Sequence, residues 1–111
     1  MKINPKLLQI NLVSGWSFNT TYIPGSAGYT NVFKDQTTCF VNLNFRIDSV
    51  IANKNTTLMS NLPIPKARQT FIGMVETTPI RVYIDEQGNL KTDTANVPTG
   101  WSNINVTYPL K

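Results

Sequence analysis

Ten residues in the middle of the chain, Thr38 to Ile47, restrict its fold more than any other stretch. Cys39, Val41, Leu43, Phe45 and Ile47 are apolar, while Phe40, Asn42, Asn44 and Arg46 between them are mostly polar. A period of two held this long belongs to a β-strand with one buried face. A helix with 3.6 residues per turn would spread the same apolar residues around its whole circumference. The stretch predicts a central strand of an antiparallel sheet.

The remaining signals are also strands and turns. Residues 16–23 are β-rich and end at a Pro-Gly-Ser-Ala-Gly loop. Residues 29–34 read as a short strand, joined to the central strand by a Lys-Asp-Gln hairpin connection. Asn53-Lys54-Asn55 is a polar turn. Over residues 58–68, Pro63 and Pro65 exclude a central strand and predict an extended loop. Residues 70–76 alternate as a strand, and Pro79 punctuates the chain before another at 80–84. Asp85-Glu86-Gln87-Gly88-Asn89 is a hairpin turn with Gly88 available for positive φ, and residues 90–92 return from it.

After a loop at 93–100, the chain closes with Trp101 to Tyr108. Here Ser102, Ile104, Val106 and Tyr108 oppose Asn103, Asn105 and Thr107, so Ile104 and Val106 should share a core with Val41, Leu43, Phe45 and Ile47. No long amphipathic helix appears. Seven or eight short strands at regular turn spacing predict an all-β fold, an antiparallel β-sandwich of jelly-roll-like build. The domain is expected at residues 16–111. Residues 1–15 are expected as a lead-in segment, read as extended, with a short helical turn from Asn4-Pro5 through Leu8 as the alternative.

Composition narrows the function classes. Only 14% of residues are charged, and 13 Asn and 14 Thr take their place, giving a neutral, hydrogen-bonding surface. The net charge of +4 comes from scattered residues rather than a Lys/Arg run, which argues against nucleic acid as a partner. No apolar run is long enough for a membrane span, and the first residues lack the apolar segment of a signal peptide. Cys39 is the lone cysteine and lies on the apolar side of the best strand, where a buried small hydrophobe is expected.

Catalysis is not expected. The chain has no His, which removes the commonest general base and the usual activator of Ser or Cys. Asp35, Asp48, Glu76, Asp85, Glu86 and Asp93 are the only carboxylates, and most fall at turns rather than as a pair across a cleft. Asp85, Glu86 and Asn89 could offer oxygen to calcium, but turn chemistry explains them without a metal. Neither a metal nor a cofactor is expected. Three glycosylation sequons, at Asn19, Asn55 and Asn105, carry little weight in a chain so rich in Asn and Thr.

Binding chemistry is easier to place. Trp16, Tyr22, Tyr29, Tyr83, Trp101 and Tyr108 could stack on a sugar. For Trp16 and Trp101 core or subunit interface is the favoured reading, whereas Tyr22, Tyr29 and Tyr83 are evenly balanced between packing and ligand contact. Arg46, Lys66, Arg68 and Arg81 could pair with phosphate or acidic groups of a polymer, although solvated surface charge is the default for each.

The order of motifs resembles a known family. Gly15-Trp16 precedes Phe33-Lys34 and the long alternating strand. Leu62-Pro63 and Pro65-Lys66 follow, then Ile84-Asp85 with Gly88-Asn89-Leu90, and finally Trp101, Ile104, Val106 and Tyr108. Across residues 15–108 this resembles the C-terminal β-sandwich modules of phage tail-fibre, baseplate and receptor-binding proteins of Gram-positive hosts. Where such modules often carry Gly-Tyr-Arg-Pro after Leu-Pro, this chain has Ile64 to Ala67.

The resemblance implies a non-enzymatic homotrimer in the phage tail. Such a protein is made in the bacterial cytoplasm, carried on the virion beside other tail or baseplate proteins, and binds a host cell-wall saccharide or a teichoic acid-like polymer. A neutral glycan on Tyr22, Tyr29 or Tyr83 is preferred over an anionic polymer on Lys66, Arg68 and Arg81. Apolar residues such as Leu7, Leu8 and Phe40 would then be hidden between subunits. The alternatives are a carbohydrate-binding module of a secreted bacterial enzyme and a trimeric jelly-roll ligand domain.

Overall fold

The computed structural model describes residues 9–24 and 28–111. They form nine strands: β1 (Asn11–Leu12), β2 (Ser17–Phe18), β3 (Thr30–Lys34), β4 (Thr38–Ile47), β5 (Thr57–Ser60), β6 (Gln69–Val75), β7 (Thr78–Ile84), β8 (Leu90–Thr92) and β9 (Gly100–Pro109). All pairings are antiparallel, in one sheet of order β1-β3-β4-β9-β6-β7-β8-β5-β2. The expected all-β class is present. Strand pairing runs without a break from end to end, so the architecture is a single sheet curled into a half-barrel.

The curl follows from chain length. β1 and β2 are the two edges of the sheet, yet only residues 13–16 separate them. Eight inter-strand spacings laid flat would hold the edges about 38 Å apart, whereas the link can reach only about 18 Å. The sheet must bend until its ends approach. Contacts across the interior agree: Phe18 of β2 packs its ring 5.4 Å from that of Phe45 of β4, and Asp48 N–H donates to the Tyr22 carbonyl.

β4 occupies the predicted span and pairs with β9 over its full length, from Thr38↔Pro109 to Ile47↔Gly100. Cys39, Val41, Leu43, Phe45 and Ile47 are buried together with Ser102, Ile104, Val106 and Tyr108. These residues are the inner face of the half-barrel, closed from the other side by Leu58, Ile80, Val82, Ile84 and Leu90. Burial pushes the Cys39 thiol up, so it stays protonated at neutral pH and behaves as a core residue.

Two turns are fixed by aspartates. Asp35 Oδ1 accepts the backbone N–H groups of Thr37 and Thr38, both at 2.8 Å, and these bonds hold its carboxyl below the ordinary range. Asp85 Oδ1 accepts from the N–H groups of Gln87 and Asn89, each at 2.9 Å, while Oδ2 meets the Asn89 amide and the Lys91 ammonium. With both oxygens engaged, Asp85 is a turn residue. No group of three or more metal-binding side chains gathers among the described residues.

Three local expectations change. In the β-rich stretch 16–23 only Ser17–Phe18 is strand. Asn19 stops it, because its carbonyl accepts from Ile23 N–H and its side chain accepts from Thr21 N–H, the usual competition of Asn with a ladder. The loop expected from residue 58 contains β5 at its start, since Pro63 and Pro65 act only beyond Ser60. Pro79 does not end a strand; it lies inside β7, where it pairs with Met74 of β6 but has no partner on β8. Leu7, Leu8 and the helical turn proposed up to Leu8 fall outside the described residues. Among the described residues no helix is long and apolar enough to cross a membrane.

Candidate functional site

The outer face of β3, β4 and β9 is rich in asparagine. Because side chains alternate along a strand, burying Val41, Leu43 and Phe45 turns Asn42, Asn44 and Arg46 outward. The same logic turns out Asn31 on β3 and Asn103 and Asn105 on β9. Register then decides which of them meet. Asn31 lies opposite Asn42, which lies opposite Asn105, so one row of amides crosses three strands. Asn44 lies opposite Asn103 in the next row. The five amides carry no net charge, and the cation beside them, Arg46, is paired with Asp48 at 3.1 Å.

Aromatic residues flank the amides at one end. The Tyr29 carbonyl accepts from Asn44 N–H at 3.0 Å, which holds its backbone, while its side chain is 74% exposed. Trp101 lies opposite Arg46 on β9 and is 47% exposed. Its backbone is gripped from the far side by Glu76. Trp101 N–H donates to Glu76 Oε1 at 2.9 Å, and Glu76 N–H donates to the Trp101 carbonyl at 2.8 Å. Glu76 adopts a left-handed φ of 51° at the β6–β7 turn to do so.

The Trp101 ring is seated against Gly28, where an added Cβ would stand 2.7 Å from Trp101 Cζ3 and 2.6 Å from the Asn44 carbonyl oxygen. Only a residue without a side chain leaves room for the indole there. A seated indole and an exposed tyrosine ring on a fixed backbone stand beside a bank of amides.

The residues named from the sequence do not converge on one place. Tyr29 stands with the amides, and Tyr22 sits near their end, half-buried against the core. Tyr83 is only 4% exposed, and its expected role as a stacking surface does not hold. The Arg68 guanidinium lies 3.8 Å over its ring centroid, and its hydroxyl donates to Asn55 Oδ1 at 2.8 Å. One aromatic face is thereby occupied and the polar tip satisfied.

Among the cations, Lys66 is at the other end of the β4–β9 ladder, where its N–H meets the Pro109 carbonyl. That is roughly 20 Å from Tyr29 at the rise of a strand. Arg68 is engaged with Tyr83. Arg81 projects from β7 opposite Ile72. These three cations do not form a cluster.

The sequence favours a core or interface role for Trp101 and singles out none of these asparagines as ligand residues. The alternation of β9 already pointed Trp101 away from Ser102 and the core, so its exposure was readable. The amide row depends on the register of three strands. No family model matches the chain, and no curated protein matches it.

Proposed function

We propose that this protein is a non-enzymatic adhesion module that recognises a neutral saccharide of a bacterial cell surface through the outer face of β3, β4 and β9. The observation that carries this reading is the bank of Asn31, Asn42, Asn44, Asn103 and Asn105 beside the exposed rings of Tyr29 and Trp101. An asparagine amide donates and accepts at once, which matches a sugar hydroxyl. A phosphate offers acceptors alone and would call for clustered cations. The aromatic faces supply stacking surface for the apolar side of a pyranose.

The resemblance to phage tail modules supports a place in a tail fibre or baseplate, with the host wall as the source of the saccharide and three copies of the chain acting together. A shallow face of this kind binds weakly by itself, and trivalent presentation raises its avidity without new contacts. β6 meets β9 only at Met74 and Val75. That narrow junction supports reading the half-barrel as two flattened sheets joined at a corner, the sandwich-like build of such modules.

The test is titration of the intact protein with solubilised wall polysaccharide at low and high salt. Binding should be nearly independent of salt, because no free ion pairing is involved. Tyr29→Ala and Trp101→Ala should each lower affinity about tenfold, equivalent to about 1.4 kcal/mol, with little change in melting temperature for Tyr29→Ala, whose side chain is largely in solvent. Steep salt dependence, abolished by Lys66→Gln or Arg81→Gln, would replace this reading with a teichoic acid-like ligand. Light scattering separates a trimeric tail module from the monomer expected of a module appended to a secreted enzyme.

A further inference from the structure

At the end of the amide rows away from Trp101, the same face becomes apolar. Leu12 of β1 lies opposite Phe33 of β3, which lies opposite Phe40 of β4. Ile10 adds to this group, and both aliphatic residues stand largely in solvent, at 61% for Ile10 and 70% for Leu12. Ile10, Phe33 and Phe40 enclose a shallow hollow of about 280 Å³, whose remaining walls are Asn42 and Thr107.

Three properties define what fits. The hollow has no charged lining residue, so its occupant is neutral. It is a shallow depression open to solvent, so it covers one side of a group rather than enclosing a complete molecule, and suits a substituent. It is also continuous with the amides, because Asn42 belongs both to its wall and to the Asn31–Asn42–Asn105 row. A group that enters it must hang from something held by hydrogen bonds next door.

We infer that the saccharide carries an acyl group, such as an acetamido or O-acetyl substituent, whose methyl enters the Ile10–Phe33–Phe40 hollow while its carbonyl faces Asn42. This inference rests on the saccharide reading above and assigns the chemical class of the ligand. The Asn42 amide can donate to the acyl oxygen. Phe33 and Phe40 supply the apolar floor, and Ile10 closes its edge.

The experiment uses the intact protein on an array of neutral oligosaccharides printed in matched pairs with and without acyl groups, including oligomers of glucose and of N-acetylglucosamine that share one linkage. The acylated member of a pair should bind about fourfold or more tightly, the factor for one buried methyl group. Ile10→Ser, at an exposed position, should remove that preference and leave binding of the unacylated member unchanged, whereas Leu12→Ser, outside the hollow, should keep it. Equal binding of both members overturns the inference and leaves the saccharide reading standing. Binding to no member of the array overturns both. If Ile10→Ser lowers the mass seen by light scattering without altering acyl preference, the hollow belongs to self-association and the inference fails.

Discussion

Phe45→Ala tests whether the sheet closes as described. Phe45 is fully buried on β4 and meets Phe18 of β2 at a 5.4 Å ring separation with a 39° tilt. In strand order those two elements are far apart, so the contact exists only because the sheet curls. Truncating a buried Phe to Ala costs about 3–5 kcal/mol. At about 4 °C per kcal/mol for a domain of this size, the melting temperature should fall by roughly 12–20 °C.

That loss alone would show burial, not closure, so the decisive measurement is a double-mutant cycle. Phe18→Ala should cost less, since Phe18 is only half-buried. The two changes together should fall short of additivity by about 0.5–1.5 kcal/mol, the worth of an aromatic pair. Urea unfolding of the four proteins gives each value. If the changes add within about 0.3–0.5 kcal/mol, the rings do not touch and the half-barrel is open between β2 and β4.

Acid stability follows from Asp85. Partial burial opposes its ionisation, but the bonds from Asn89, Gln87 and Lys91 outweigh this and hold the carboxyl below its ordinary range. A lowered folded value stabilises at pH above the unfolded value of about 3.9, and that contribution is lost as pH falls through the folded value. Asp85→Asn keeps an acceptor for both backbone N–H groups. Its urea midpoint should therefore be lower than wild type at neutral pH, with the gap closing in acid; a gap independent of pH would refute the assignment. At the β6–β9 junction, a Cβ on Gly73 would collide with Ile104 Cγ1. Gly73→Ala should cost about 1–3 kcal/mol through overpacking, less in the presence of Ile104→Ala, and calorimetry of the single and double variants checks both.

The sequence determined what depends on a residue's own backbone. Side chains of an extended chain alternate whatever strand lies alongside, so the inner and outer faces of β4 and β9 could be assigned without knowing that they pair. The Asp85 turn was equally local, since the carboxylate bonds N–H groups two and four residues ahead. Only tertiary structure decided the rest. Tyr83 alternates outward like Arg81, but Arg68 and Asn55, brought from other parts of the chain, cover its ring and satisfy its hydroxyl. The amides of Asn31, Asn42 and Asn105 form a row because three strands meet in one register, and a slip of a single residue would disperse them. Trp101 is a fixed platform because Gly28 and Glu76 come to it across the sheet. Each of these contacts joins residues distant in sequence, and their positions are set by how the whole sheet curls to bury its inner face.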